Sequence, residues 1–163
     1  MINAVLWDYS FAPQPIVVTK STSGKDAPIG VLRNPDADIA LFAIQPAKQK
    51  VRSLQSLPAD WDGNGSAKPV PEAIGQAVAI LPDLYRAAAL TNHRWNSPQV
   101  SASEAGEVVL EWWYGNRKVT IYVTANEMSV VRVWGNDIDL EMDEGILPDA
   151  SNSFASLWGW IHS

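Results

Sequence analysis

The sequence predicts an α+β domain, a four-stranded antiparallel meander with helices packed on one face and a β-rich section ahead of it. Three observations lead there. Residues 107–143 alternate apolar and polar side chains and are broken by two Gly-Asn pairs, Gly115-Asn116 and Gly135-Asn136. Flanking segments carry apolar residues at helical spacing instead, Ile74, Ala77, Leu81 and Leu84 before the meander and Phe154, Leu157, Trp158 and Ile161 after it. A length of 163 residues suits one domain spanning 1–163, able to bury roughly 68–70% of the surface its unfolded chain exposes.

Register follows from the turns. A two-residue Gly115-Asn116 loop pairs Tyr114 with Arg117, and counting outward sets Trp112 against Val119, Leu110 against Ile121 and Val108 against Val123. Glu111 then faces Thr120 and Val109 faces Tyr122 on the other side. Gly135-Asn136 read the same way sets Val133 against Ile138, Val131 against Leu140 and Arg132 against Asp139. A three-residue loop, Asn126-Glu127-Met128, joins the hairpins and gives strands near 107–114, 117–125, 129–134 and 137–143. The apolar face so defined, Val131, Val133, Ile138, Leu140 and Met142 included, needs a cover, which the helices supply.

Residues 1–45 lean towards strand, with Ala4–Trp7, Ile16–Thr19 and Ile39–Ile44 separated by prolines and glycines. From Pro46 to Leu57, Val51, Leu54 and Leu57 alternate with Lys48, Lys50 and Arg52 as in a short amphipathic helix ended by Pro58. Pro71, with Glu72 beside it, starts the next helix, and Pro82 is expected to kink or restart it.

Composition excludes several chemistries. Without cysteine there are no disulfides, thiolate metal sites or cysteine nucleophiles. Apolar runs are short and the first residues lack a basic-then-apolar leader, so the expectation is a cytoplasmic protein that does not engage a membrane. The net charge of −6 lies entirely after Arg132, where six acids meet no lysine or arginine; residues 1–132 hold 12 of each sign. No basic excess exists to displace phosphate counterions, so direct nucleic-acid binding is not expected. His93 and His162 have no metal-ligand spacing, and phosphate-binding glycine loops and a Gly-x-Ser-x-Gly elbow are absent, so no cofactor is expected.

Candidate binding residues are therefore acidic and aromatic. On a strand over 137–143, Asp137, Asp139, Glu141 and Asp143 would project from one side at intervals of about 6.6–6.8 Å, with Glu144 following. Such a row fits a basic surface on another protein; alternatively it is the charged outer face of an edge strand that blocks aggregation, with Arg132 neutralising Asp139. Trp113, Tyr122 and Trp134 fall on the mixed face, covered by the N-terminal section or forming a homodimer surface, and Trp160 falls off its helix stripe towards a partner. Asp60, Asp62 and Asn64 followed by Gly65 reproduce the first half of a calcium loop, but its twelfth position is Pro71, so an Asx-stabilised turn with Trp61 in the core is the simpler reading. Glu107 with Glu111, or Asp137 with Asp139, are the carboxylate pairs a small hydrolase would use.

Leu54-x-x-Leu57-Pro58-x-x-Trp61-Asp62-Gly63-x-Gly65, then Pro71-Glu72-Ala73-Ile74 and Gly106-Glu107-Val108-Val109-Leu110-Glu111-Trp112, resembles a group of small bacterial proteins sharing a Trp-Asp-Gly-x-Gly loop, a helix and a Leu-Glu-Trp strand. The likeness covers roughly residues 54–125 and brings no assigned chemistry. Occurrence of the group in phages and mobile elements implies an accessory or counter-defence role, of the kind filled by anti-CRISPR inhibitors. Together these readings give a non-enzymatic interaction protein that binds the basic, nucleic-acid-binding surface of a larger host complex and inhibits a defence nuclease. A calcium module at Asp60–Gly65 and a small hydrolase are the alternatives.

Overall fold

A five-stranded antiparallel meander, in which each strand pairs with the next in the chain, carries helices on one face. The computed structural model describes residues 35–137, 139–148 and 151–163, which fall in the second of two units, Met1–Leu32 and Arg33–Ser163. Its elements are α1 (Pro35–Ser53, followed by a 3₁₀ turn Leu54–Ser56), α2 (Pro71–Leu90), β1 (Gln99–Ala102), β2 (Val108–Tyr114), β3 (Arg117–Val123), β4 (Met128–Val133), β5 (Met142–Ile146) and α3 (Ser151–Ile161). No helix among the described residues is long and apolar enough to cross a membrane.

The first hairpin forms in the expected register, with Tyr114 against Arg117, Trp112 against Val119, Leu110 against Ile121 and Val108 against Val123. Gly115 takes φ +59°, the left-handed backbone that a two-residue hairpin loop requires at its first position. Its inward side chains, Val108, Leu110, Trp112, Val119, Ile121 and Val123, are buried. Helix α2 begins at Pro71 and supplies Ile74, Ala77, Leu81, Leu84 and Ala88 to the core, while Phe154, Leu157, Trp158 and Ile161 do the same from α3. Pro82 lies inside α2, which runs on to Leu90 without a restart.

Four expectations are corrected. There is a fifth strand: β1 pairs antiparallel with β2, Gln99 against Glu111 and Ala102 against Val108. Residues Ile39–Ile44 are helical, because α1 starts at Pro35 and runs through Pro46. The reason is the stripe Ile44, Ala47, Val51 and Leu54, which only a helix can bury on one side, whereas Ile39, Leu41 and Phe42 point outward. The rest of the expected N-terminal β section, residues 1–34, lies outside the described residues.

The other two corrections concern the second half of the sheet. The loop between β3 and β4 spans four residues, with Val123 against Met128 and Ile121 against Val130. Thr124 closes it: its hydroxyl oxygen accepts from the amides of Asn126 and Glu127, and its own amide donates to the Glu127 carbonyl. Relative to the expected register this shift is odd, so every β4 side chain changes face. Met128 and Val130 are buried beneath the helices, and Val131 and Val133 lie on the far side, half-buried.

Gly135-Asn136 does not close a tight hairpin. Neither residue has a positive φ, and β5 pairs further along, Val133 against Met142, Arg132 against Asp143 and Val131 against Glu144. The intervening loop is folded around Glu141, whose carboxylate accepts the Asp137 amide at 2.9 Å and occupies the space where a Cβ on residue 135 would lie. Leu140, expected in the core, is 76% exposed, and Ile138 is outside the described residues.

Candidate functional site

Strand β1 begins opposite Glu111, so Trp112, Trp113 and Tyr114 at the end of β2 run beyond it. The loop leaving α2 crosses this uncovered stretch, and the last turn of α3 closes the side. Together they enclose a pocket of about 510 Å³, within the size range of small-molecule sites.

Each wall is fixed locally. Helix α2 ends in a Schellman turn: Asn92 adopts φ +57°, its amide donates to the Ala89 carbonyl, and the His93 amide donates to the Ala88 carbonyl at 2.9 Å. That turn aims His93 across the pocket mouth. From α3, His162 Nδ1 donates to the Trp158 carbonyl at 2.8 Å; since a carbonyl can only accept, Nδ1 carries the proton and Nε2 is left for another partner. The two imidazoles stack face to face, 4.1 Å between centroids at 13°, and Tyr114 lies 4.6 Å from His162. Residues 69 positions apart are thus brought into contact.

Beneath them lies an aromatic floor. Trp95 stacks on Trp158 at 5.6 Å and 13°, and Trp112 stands edge-on to both. Trp112 Nε1 donates to the Asn96 carbonyl at 2.8 Å and Trp95 Nε1 to the Ala43 carbonyl of α1 at 3.3 Å, so these rings have defined orientations. Trp158 Nε1 is buried with no hydrogen-bond acceptor among the described residues. At the rim, Trp113 and Tyr114 are more than half exposed, and Lys118 Nζ sits 4.8 Å over the Trp113 ring.

The residues expected to bind a partner are distributed differently. The acidic row does not form, because Asp137, Asp139 and Glu141 belong to a loop and only Asp143 and Glu144 are in β5, where neighbours point to opposite faces. Asp143 is held by Arg132 through a two-pronged pair, 2.9 and 2.5 Å, on the helix side of the sheet. Asp137 Oδ1 accepts the Asp139 amide, and Glu141 is turned inward. Trp134 and Trp160 pack edge to face at 6.1 Å, and Trp160 is flanked by the Arg117 and Arg132 guanidinium groups at 5.1 and 5.4 Å. Arg117 also donates to the Trp160 carbonyl. Of the three tryptophans singled out, Trp113 alone is exposed and reaches the pocket.

The Asp60 loop is a self-contained turn. Asp60 Oδ1 accepts the Gly65 amide at 2.6 Å, Asp62 Oδ1 accepts the Asn64 amide at 2.9 Å, and the Asp60 amide donates to the Ser66 carbonyl. Asp60, Gly63 and Gly65 all have positive φ. Ser66 and Asn64, whose amides both donate to Asp62 Oδ1, hold the Asp62 carboxyl below its ordinary value. Trp61 is half-buried. Among the described residues no group of three or more histidine, aspartate or glutamate side chains is gathered as metal ligands. The Glu107 and Glu111 pair is engaged locally as well, Glu107 with the Ser103 hydroxyl and Glu111 with Lys118 at 2.6 Å.

Sequence reasoning left His93, Arg94, Trp95 and His162 out of any site. Asn92 was the usable signal, since asparagine after an apolar helical stripe marks a helix end and thereby fixes where His93 starts its loop. No protein-family model matches this chain, and neither the curated proteins nor the solved structures contain a match to it.

Proposed function

We propose that the protein is a non-enzymatic recognition module whose grip is the aromatic pocket at the end of β2, and that it holds a planar group there. The observation that carries this reading is the convergence of three separate segments, 92–96, 112–114 and 158–162, on one open cavity walled by ring faces and edged with polar groups. Rings on Trp and Tyr give large contact area at little cost in conformational freedom. A stacked pair of imidazoles does not have the layout of an acid and a base on either side of a reacting bond, which favours binding over catalysis. Saturation-transfer NMR with indole as the probe tests it. Transfer is expected in the wild type and lost in the Trp113→Ala/Tyr114→Ala double variant, both residues being at the rim; equal transfer in both proteins contradicts the pocket.

A second reading keeps the acidic segment as a contact for a basic, nucleic-acid-binding surface on a host defence nuclease, which the protein would inhibit. What favours it is the β4–β5 loop, where Asp137, Asp139 and Leu140 are all exposed and exposed Glu144 follows on β5. Replacing Asp137, Asp139 and Glu144 by their amides should abolish inhibition of such a nuclease and its sensitivity to salt. Undiminished inhibition by the triple variant rules the reading out.

A further inference from the structure

We infer that the planar group held in the pocket carries an acidic substituent, a carboxylate or a phosphate. This inference rests on the pocket being a binding site and adds the charge of what it binds. The chain as a whole is acidic, with a net charge of −6, yet none of the residues lining the pocket is an aspartate or glutamate. Its polar edge is made of Arg94, His93, His162, Asn92 and Asn96, a set dominated by hydrogen-bond donors.

Positive charge at the mouth is also uncompensated. Arg94 makes no ion pair with any described residue. A cationic ring entering here would meet like charge with no acid to offset it, and a neutral ring would leave Arg94 without an anion. An acidic ring satisfies both requirements, its plane on the aromatic walls and its anion on the guanidinium, where charge-assisted bonds are short and strong.

Isothermal titration of the full chain with two matched probe pairs tests this: indole-3-acetate against indole-3-ethanol for a carboxylate, and adenosine 5′-monophosphate against adenosine for a phosphate. In at least one pair the acidic member should bind roughly ten- to a hundredfold tighter, and the pair with the larger ratio identifies the acid. Arg94→Gln should bring the two members to within about twofold, as one charge-assisted bond is lost. Arg86→Gln, which changes an exposed arginine outside the pocket, should leave the ratio unaltered. Equal affinity within both pairs, or a preference that survives Arg94→Gln combined with His93→Gln, overturns the inference. If no probe of either pair binds while indole still receives saturation, the charge assignment fails and the pocket stands; if indole is silent as well, both fail.

Discussion

Gly106 has φ +82°, and a Cβ built on it would come within 2.9 Å of the Lys68 carbonyl oxygen. The contact arises because the segment after the Asp60 turn is drawn onto the β1–β2 loop by the Ala67 amide, which donates to the Glu104 carbonyl at 2.8 Å. Both strain and collision oppose any side chain there, so Gly106→Ala should cost about 1–3 kcal/mol in chemical denaturation; an unchanged midpoint would contradict the close approach. At Asp62 the effect is one of pH. Its carboxyl is held below the ordinary value by Ser66 and the Asn64 amide, so the ionised form is favoured by folding. That contribution is fully present above the unfolded value near 3.8 and is lost as pH falls through the lowered folded value. Asp62→Asn should therefore be less stable than wild type at neutral pH, and the gap should close on acidification below about pH 4. A gap that does not depend on pH would show that the carboxylate bonds are not its source.

At the scale of elements, the two Gly-Asn turns carry the lesson about what sequence can and cannot disclose. Both pairs look alike, and the first folds as read because Gly115 alone meets its steric demand and the alternation on each side agrees with it. The second is overruled by a side chain six residues away: Glu141 folds back into the loop and moves the pairing four positions along. No local pattern marks that interaction. Register in β4 was equally hidden, because Val130, Val131 and Val133 serve either face and the Thr124 closure decides between them. Helix α3 shows the same division. Its buried stripe was legible, while the placement of Trp160 between Arg117 and Arg132 was not, since it joins three elements. Phe154, completely buried beneath the sheet, should cost about 3–5 kcal/mol when replaced by alanine. Trp160→Ala, half-buried and flanked by two cations, should cost less, about 1–3 kcal/mol, through lost contact and cation–π attraction. Thermal or urea unfolding of both variants checks the order, and a Trp160→Ala loss as large as that of Phe154→Ala would contradict it.

For the whole molecule, the decisive fact is that the pocket is built from three stretches that have nothing in common in the sequence. His93 and His162 were each unremarkable alone, and their stacking depends on the Schellman end of α2, the packing of α3 on the sheet and the point where β1 begins. Net charge by region was readable and is correct as arithmetic, but the pairing of Arg132 with Asp143 shows that its location in the chain did not give its location on the surface. Seven of the eight tryptophans lie in the described residues and divide cleanly: Trp95, Trp112, Trp113 and Trp158 line the pocket, and Trp61, Trp134 and Trp160 do not. Their indole N–H signals therefore make an internal map. In a ¹H–¹⁵N spectrum recorded during titration with indole-3-acetate, the first four should shift together in a saturable way and the other three should stay in place. Movement confined to Trp134 and Trp160, or no movement in any of the four, would contradict the pocket as the site of function.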